Sequence, residues 1–308
     1  MQPGNILIFG HGQLGTFYRD YFSARGVTVV APDVDIRDSA GVRMMVQNAK
    51  PNVVINVAAK TNIDWCEQNK LTAFDINTLG AANIGAACAE AGVYLVHLSS
   101  GCVQESKTRD EVWKENDPVA PLCFYSWTKV WAENLLNDLA ARHGLKVLIL
   151  RPRQLLSAMV SPRNAVTKLL TYHTFIDEAN SCTIVEDLMT VSDALIARDT
   201  TGTYNVVNPG IITPYEIALM IRDVIQPDMV VEKISKDALN AMTLAKRVDC
   251  VLSGEKLAAL GIPLKDIHER LREVLYQFKE RLQTDEGRAA LARTSEETSR
   301  KLSLVLPG

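Results

Sequence analysis

The sequence predicts an α/β fold with a Rossmann-type, doubly wound parallel sheet and a smaller C-terminal substrate lobe. A short apolar run at 6–9 leads into the glycine-rich segment 10–15, and a helical pattern follows. Strand-like apolar runs then alternate with helical stretches up to residue 151. Because this alternation is typical of parallel sheets with helices on both faces, we expect the ligand site at the carboxyl edge of the sheet.

The first turn has the spacing of a dinucleotide-binding motif, G-x-G-x-x-G. Glycines permit the tight turn and let backbone amides approach a pyrophosphate at a helix N-terminus, where the helix dipole favours negative charge. An apolar-periodic helix from Leu14 to Phe22 and a second strand at 27–31 provide the context that the motif needs. The motif predicts NAD(P)H as cofactor, bound by Gly10, Gly12, Gln13, Leu14 and Gly15.

Two carboxylates, Asp33 and Asp35, follow the second predicted strand. An acidic residue at this place binds the ribose hydroxyls of NAD and repels a 2′-phosphate. NADH is therefore the direct interpretation. NADPH stays open, because Arg19, Arg25 and Arg37 are close in sequence.

A second constellation pairs a serine with a tyrosine and a lysine. The strand predicted at 93–99 runs into Ser100, and Tyr125 precedes Lys129 by four residues in a helix predicted at 124–143. Residues i and i+4 share a helix face, so the ammonium is expected to lie beside the phenol and to favour the phenolate. Ser100 can donate a second hydrogen bond to a substrate oxygen. Such a group protonates an oxygen while hydride reaches its carbon, which indicates carbonyl reduction or alcohol oxidation.

The domain boundary is placed where the regular alternation of predicted strands and helices ends, near residue 151. We expect residues 1–151 to form the dinucleotide-binding domain and residues 152–282 to form mainly the substrate-binding lobe, with some segments that return to the first domain. The polar segment 283–308 is either a mobile tail or an added helix. Further elements are predicted as strands at 53–57, 146–151, 203–207 and 230–234 and helices at 73–91, 214–225, 253–260 and 264–282.

Composition excludes several classes of protein. The chain has 308 residues, 47% of them hydrophobic, and a net charge of -3 without a basic stripe, so nucleic acid is not an expected partner. The apolar runs are far shorter than the roughly 20 residues that span a bilayer. Met1–Gly4 leads into the first strand without a signal segment. We therefore expect a cytoplasmic protein that does not bind a membrane.

The six cysteines form no C-x-x-C pair, which argues against a zinc site and a disulfide framework. The five histidines suggest no metal either. Most of the cysteines are expected to be small buried residues. Cys102 is the exception, because it lies two residues beyond Ser100.

Together these residues resemble the extended short-chain dehydrogenase/reductase superfamily. Within it the chain resembles the dTDP-4-dehydrorhamnose reductases, and more closely the nucleotide-rhamnose synthases with 3,5-epimerase and 4-reductase activity that also form the C-terminal half of plant rhamnose synthases. The resemblance covers roughly residues 5 to 280. It rests on segments 12–15, 33–36, 56–67, 100–103, 124–129, 151–153, 161–168 and 205–209.

The resemblance implies chemistry on a nucleotide-linked 4-keto-6-deoxyhexose. Its C4 ketone acidifies C3 and C5, so that a base and an acid can invert both centres before C4 is reduced. Cys102 stands where the related fucose synthases have a cysteine that takes part in epimerisation, and Lys168 fits the second group. The implied cofactor contacts include Ile36, Ala58, Ala59, Lys60 and Asn77, and the implied substrate contacts are Arg153, Arg163, Asn164 and Arg247. A homodimer is compatible with the sequence.

Alternatives remain at this stage. Cys102 could be a packed small residue, Lys168 a solvated charge and Arg247 a surface ion-pair residue. The chain could be a simple 4-reductase, an epimerase or dehydratase that retains NAD, or a regulatory protein of this fold that binds NADP without chemistry. The intact serine, tyrosine and lysine argue against the regulatory protein, which needs no proton donor.

Overall fold

The computed structural model of the chain describes residues 4–305, with side chains described up to residue 298. Its strands are β1 (Asn5–Phe9), β2 (Thr28–Val30), β3 (Val53–Asn56), β4 (Tyr94–Leu98), β5 (Val112–Trp113), β6 (Val147–Pro152), β7 (Leu155–Leu156), β8 (Thr174–Phe175), β9 (Thr183–Ile184), β10 (Gly202–Val206), β11 (Glu232–Lys233) and β12 (Val251–Leu252). Its α-helices are α1 (Gln13–Ser23), α2 (Ser39–Ala49), α3 (Ile63–Gln68), α4 (Lys70–Phe74), α5 (Gly80–Ala91), α6 (Phe124–His143), α7 (Ala165–Leu169), α8 (Val185–Ala197), α9 (Pro214–Val224), α10 (Lys236–Ala241), α11 (Glu255–Ala259), α12 (Ile267–Leu282) and α13 (Asp285–Val305).

Six strands form one parallel sheet in the order β10-β6-β4-β3-β1-β2, which confirms the predicted fold class. The central strands are buried apolar runs, because helices cover both faces. Ile6 and Ile55 pack on one face with residues of α1 and α8. Leu7 and Val54 pack on the other face with residues of α2, α5 and α6.

The strand order reverses at β1, because the chain first adds β2 on one side of it and then β3 on the other. At such a reversal the loops after the neighbouring strands diverge and leave a crevice at the carboxyl edge. The loops after β1, β3, β4 and β6 border this crevice, and they carry most of the predicted site residues.

The smaller lobe has a separate hydrophobic core. Ile217 and Ile221 of α9 pack there with Leu271 and Phe278 of α12. The segment 185–206 leaves this lobe, since α8 packs on α1 and β10 pairs with β6 at the edge of the main sheet. The part of the chain that builds the cofactor half is therefore discontinuous in sequence.

The polar C-terminal segment forms α13, the added helix of the two alternatives, while residues 306–308 lie outside the described part. Thr284 Oγ1 accepts a hydrogen bond from the Gly287 amide at 3.1 Å and so caps the start of the helix. A Cβ at Gly287 would lie 2.2 Å from the carbonyl oxygen of Arg281, so glycine permits the tight return of the chain on α12. Among residues 4–305, no helix is both long enough and apolar enough to cross a bilayer.

The helix predicted at 73–91 differs from the structure, because a π-helical turn at Asp75–Leu79 interrupts it. The turn carries Asn77, whose Oδ1 accepts from the Lys60 amide at 2.7 Å. Its Nδ2 donates to the Lys60 carbonyl at 2.9 Å and to Thr128 Oγ1 at 3.1 Å. These contacts come from distant segments, so helical periodicity could not predict the turn. Turns of this kind are frequent at functional sites.

Candidate active site

The glycine turn after β1 is open toward the crevice. Gly10 has φ of +114°, a conformation that favours glycine, and a Cβ there would lie 2.7 Å from the Ala58 nitrogen. Gly12 caps α1 without a side chain, and the nearest atom to a Cβ there would be Arg163 Nη1 at 4.0 Å. Residues 12–14 line the crevice, so the first amides of α1 are accessible to an anion. The turn therefore fits the pyrophosphate of a dinucleotide.

The carboxylates Asp33 and Asp35 stand exposed after β2. Arg37 Nη2 lies 2.5 Å from Asp35 Oδ2. Hydrogen bonds from this guanidinium lower the pKa of Asp35 to about 2. His11 Nε2 lies 2.9 Å from the carbonyl oxygen of Pro32, which ties the glycine turn to the segment after β2.

The loop after β3 forms one wall of the crevice. Ala59 and Lys60 line it. Ala58 lies behind the glycine turn, Ile36 is buried in the core, and Asn77 spends its amide on the backbone of Lys60 and on α6. Ala58, Ile36 and Asn77 do not line the crevice, and their contact with the cofactor stays a prediction.

Helix α6 begins beside the crevice and is held there by Glu67. Its N-cap residue, Cys123, makes no side-chain cap, and Glu67 Oε1 instead accepts from the Phe124 amide at 2.6 Å. A carboxylate at this place also meets the positive end of the helix dipole. The helix then places Tyr125 and Lys129 one turn apart in the wall of the crevice.

Ser100 completes the group after β4. Its Oγ accepts a hydrogen bond from the Cys102 amide at 3.2 Å, and its hydroxyl is also hydrogen-bonded to the phenol of Tyr125. Lys129 Nζ donates to the carbonyl oxygen of Leu98 at 2.7 Å. The structure thus brings together the three residues that spacing predicts.

Burial controls the protonation of both α6 groups. It raises the pKa of Tyr125 well above its ordinary value, while the hydrogen bond with Ser100 lowers it. The i,i+4 spacing predicts that Lys129 favours the phenolate, but in the structure Lys129 Nζ donates to a backbone carbonyl and burial favours the neutral phenol of Tyr125. A neutral phenol is the proton donor that carbonyl reduction requires. Burial also lowers the pKa of Lys129 to about 8, and the negative charge of Glu133 opposes this.

We expect turnover in the reductive direction to fall as the pH rises through about 8. Below this pH Lys129 carries a proton that can replace the one donated by Tyr125, and above it the ammonium is lost. The pH profile at saturating substrate and cofactor measures this fall. In Lys129→Arg the remaining activity should persist to higher pH, because a guanidinium keeps its proton. A wild-type profile that is flat to about pH 10 would contradict the role of Lys129.

A buried ion pair next to Lys129 was not predicted. Arg151 Nη2 of β6 lies 2.5 Å from Glu133 Oε2, and the two side chains are 6% and 5% exposed. Ser99 Oγ donates to the same carboxylate. Glu133 follows Lys129 by one helical turn, so the i,i+4 spacing is a signal that could have found it.

Cys102 lies in the crevice wall beside Arg153. Arg153 Nη1 donates to its sulfur at 3.1 Å, and Nη2 donates to Asn180 Oδ1 at 2.7 Å and to the Val248 carbonyl. Arg153 Nε is buried without a hydrogen-bond partner among the described residues. The Cys102 sulfur therefore accepts a hydrogen bond from a guanidinium inside the crevice wall.

The segment after β7 brings Arg163 and Lys168 to the crevice. Asn164 lies between them and differs from the expectation of a substrate contact. Its side chain caps α7 and donates to the carbonyls of Ser157 at 2.8 Å and Met159 at 2.5 Å. Asn164 therefore shapes the loop that carries its two neighbours.

Arg247 lies in a second cavity, of about 380 Å³, which shares Lys168 with the main crevice. Its Nη2 donates to Asp64 Oδ2 at 2.7 Å, a partner that the sequence analysis did not assign. Tyr172 lines the same cavity, where burial raises its pKa and Arg247 lowers it. The cavity holds cations next to an aromatic ring, and phosphate binding by Arg247 stays a prediction.

The main crevice has a volume of about 830 Å³. It combines a glycine turn that fits a dinucleotide with the phenol of Tyr125 and the ammonium of Lys129. The thiol of Cys102 lies beside the guanidinium of Arg153 in the same crevice. Such a site can protonate a carbonyl oxygen and can exchange protons at the carbons next to it. Within residues 4–305, no cluster of three histidine, cysteine or acidic side chains could hold a metal ion.

Comparisons with known proteins agree with this geometry. The bifunctional dTDP-4-dehydrorhamnose 3,5-epimerase/dTDP-4-dehydrorhamnose reductase of Arabidopsis thaliana is 30% identical over 284 residues, which cover 89% of this chain and 93% of that protein. The crystal structure of a UDP-rhamnose synthase from Acanthamoeba polyphaga mimivirus superposes with a TM-score of 0.82 at 28% identity, over 89% of this chain and 99% of that one. A dTDP-4-dehydrorhamnose reductase from Bacillus anthracis in complex with NADP gives a TM-score of 0.80 at 25% identity, over 90% and 99% of the two chains. The family model for the RmlD substrate binding domain matches residues 4–280, from the first strand through the smaller lobe, and the chain therefore belongs to that family.

Proposed function

We propose that the protein reduces C4 of a nucleotide-linked 4-keto-6-deoxyhexose with NAD(P)H and inverts C3 and C5 of the same sugar before the reduction. The observation that carries the proposal is the meeting of Ser100, Tyr125 and Lys129 in one crevice with an open glycine turn. The named activities of the relatives in Arabidopsis thaliana and in the mimivirus support the sugar class. The product is then a nucleotide sugar of the dTDP- or UDP-L-rhamnose type.

The reduction uses groups that the crevice already holds in place. NAD(P)H, when bound at the glycine turn, supplies the hydride. The hydroxyls of Ser100 and Tyr125 hydrogen-bond the C4 oxygen, and Tyr125 donates its proton as negative charge develops there. Lys129 then returns a proton to Tyr125, while Leu98 and Glu133 stabilise its ammonium.

The epimerisation uses the thiol and the second lysine. The ketone acidifies the neighbouring C–H bonds, so the Cys102 thiolate removes a proton and leaves an enolate whose oxygen lies at Ser100 and Tyr125. Lys168 returns a proton to the same carbon from the other ring face and thereby inverts it. Arg153 supports the thiolate through its hydrogen bond to sulfur.

The competing functions differ in what they consume. A simple dTDP-4-dehydrorhamnose 4-reductase uses NAD(P)H but does not exchange protons at C3 and C5. An epimerase or dehydratase of this fold retains its NAD and recycles it. A regulatory protein binds NADP without turnover. The proton donor in the crevice argues against the regulatory protein, and retention or consumption of the cofactor separates the other functions.

The test is a panel of dTDP-, UDP-, GDP- and CDP-linked 4-keto-6-deoxyglucose, with loss of NAD(P)H absorbance as the signal. We expect stoichiometric oxidation with the dTDP or the UDP sugar. The control substrate is the already epimerised 4-ketorhamnose nucleotide, which a reductase without epimerase activity also reduces. Binding of cofactor without turnover on any sugar would mean that the protein is regulatory.

We expect NADH to be used at least as well as NADPH. Asp33 and Asp35 lie exposed where a 2′-phosphate would stand, and like charge weakens its binding. Arg37 is engaged by Asp35, and Arg25 packs on the Tyr21 ring at 3.5 Å from its centroid. Initial rates with both cofactors measure the preference. A strong preference for NADPH, lost in Arg37→Ala, would show that Arg37 leaves Asp35 for the phosphate.

A homodimer and a cytoplasmic location belong to the same proposal. Trp127 and Leu135, two turns apart on α6, are 41% and 38% exposed, and this apolar face supports self-association. Light scattering on the purified protein tests the dimer. The six cysteines are free and buried, as is usual in a reducing compartment.

A further inference from the structure

Helix α13 lies beyond residues 4–280 that the family model matches, yet it contributes to the second cavity. Its buried face includes Ala290 and Thr294. Thr298 Oγ1 lies 3.0 Å from Thr171 Oγ1, just after α7. The capped start of the helix and this contact hold α13 against α12 and α7.

Hydroxyl, charged and aromatic side chains are among those that line the cavity. Thr294, Glu297 and Thr298 of α13 line it together with Tyr172 and Arg247. Lys168 lines both this cavity and the main crevice, so the two cavities are neighbours at this residue. The volume of about 380 Å³ suits one small ligand part and is too little for a whole nucleotide sugar.

We propose that α13 forms the wall of the nucleoside subsite and that Glu297 binds the ribose hydroxyls of the substrate, so that the enzyme prefers a UDP-sugar to a 2′-deoxyribose counterpart. This inference rests on the proposed function and adds the identity of the nucleoside sugar to it. The sugar to be reduced lies in the main crevice at Tyr125 and Cys102, and the diphosphate passes Lys168.

Four side chains of the cavity suit the parts of a uridine diphosphate. Arg247 and Lys168 carry the positive charge that a diphosphate needs. The Tyr172 ring can stack on a base, because aromatic stacking accepts any base. Glu297 would repel the phosphates, whereas the hydroxyls of a ribose can donate hydrogen bonds to its carboxylate. Acidic side chains bind ribose hydroxyls in this way at dinucleotide sites.

The 2′-hydroxyl distinguishes a UDP-sugar from its 2′-deoxyribose counterpart. A carboxylate can accept one hydrogen bond from each of two neighbouring hydroxyls of ribose, and 2′-deoxyribose lacks one of these donors. A hydrogen bond to a charged group is stronger than one between neutral groups. The discrimination should therefore disappear with the carboxylate.

The test compares UDP with dUDP, which differ only in the 2′-hydroxyl, by calorimetric titration of the full chain. We expect the wild type to bind UDP about tenfold more tightly, as one lost charge-assisted hydrogen bond implies. In Glu297→Ala, UDP loses both hydroxyl contacts and dUDP loses the one it has, so both bind more weakly and the affinity ratio between them should fall to less than about twofold. Glu296→Ala is the matched control, because it removes the same charge from an exposed neighbour that does not line the cavity.

A second readout uses turnover. With the UDP-linked 4-keto sugar, Glu297→Ala should raise KM and leave kcat unchanged, because the ribose is remote from the reacting carbons. Equal wild-type affinity for UDP and dUDP, absence of binding by both, or equal effects of the two variants would overturn the inference. The titrations need no turnover, so a failure to reduce any sugar would count against the proposed function alone.

Discussion

Tyr125→Phe is expected to lower the turnover of ketone reduction by on the order of a hundredfold or more, the usual loss when a general acid is removed. The phenol is buried in the crevice beside Ser100, and burial raises its pKa, so it keeps the proton that it is expected to donate to the C4 oxygen. The ring remains in the variant, and cofactor affinity should be retained. Single-turnover rates and a cofactor titration measure the two effects separately.

Tyr18→Phe is the matched control. It also removes a buried hydroxyl, which lies 2.7 Å from Ser192 Oγ in the core, but Tyr18 does not line the crevice. It should cost stability of about 1 kcal/mol and leave turnover unchanged. Near wild-type turnover in Tyr125→Phe would sink the assignment of the general acid.

Cys102→Ser is expected to suppress hydrogen exchange at C3 and C5 while reduction survives. Wild-type enzyme with a nucleotide-linked 4-keto-6-deoxyglucose in deuterated water, without reduced cofactor, should place deuterium at both carbons. The serine hydroxyl is a far weaker carbon base than a thiolate held by Arg153. Reduction of the epimerised 4-ketorhamnose nucleotide should remain largely intact, because proton transfer through Tyr125 does not use the thiol. Mass spectrometry and NMR follow the exchange.

Cys66→Ser provides the comparison for this variant. Cys66 belongs to the same buried cluster as Cys102 and Tyr125, but it bonds the Lys60 carbonyl at 3.5 Å and does not line the crevice. It should exchange at the wild-type rate. If wild-type enzyme exchanges at neither carbon and still reduces the epimerised ketone, the thiol is structural and the protein is a simple 4-reductase.

Local signals in the sequence predicted the main-sheet strands of the first half of the fold and helix α6, but they did not predict α2, α3 and α4. Helix α6 spans Phe124–His143, the predicted bounds, because the helical pattern ends at Gly144, whose φ of +67° suits a helix C-terminus. The partner of a strand is not a local property. Nothing in residues 202–206 alone tells whether they pair with β6 or with the smaller lobe, since the path of the returning chain decides it.

The active site shows the same contrast between features that local sequence predicts and features that depend on distant elements. Spacing alone puts Tyr125 and Lys129 on one turn of a helix. Spacing does not reveal that the Lys129 ammonium donates to the Leu98 carbonyl. Nor does it reveal that the Asn164 side-chain amide donates to two other carbonyls. Those partners are backbone carbonyls of other elements. Every residue has a backbone carbonyl, so the residue type does not indicate which one accepts a hydrogen bond. The raised pKa of Tyr125 follows from depth of burial, which is also a property of the assembled chain.

The pairing of β10 with β6 also limits how this enzyme could be divided or recombined. A fragment that stops at residue 151 would end inside β6, leave the sheet edge at Leu148 and Ile149 uncovered, and lack α8. Such an open edge invites association with other chains. Exchange of the substrate lobe between relatives would therefore require crossovers on both sides of 185–206, so that α8 and β10 stay with the sheet they complete.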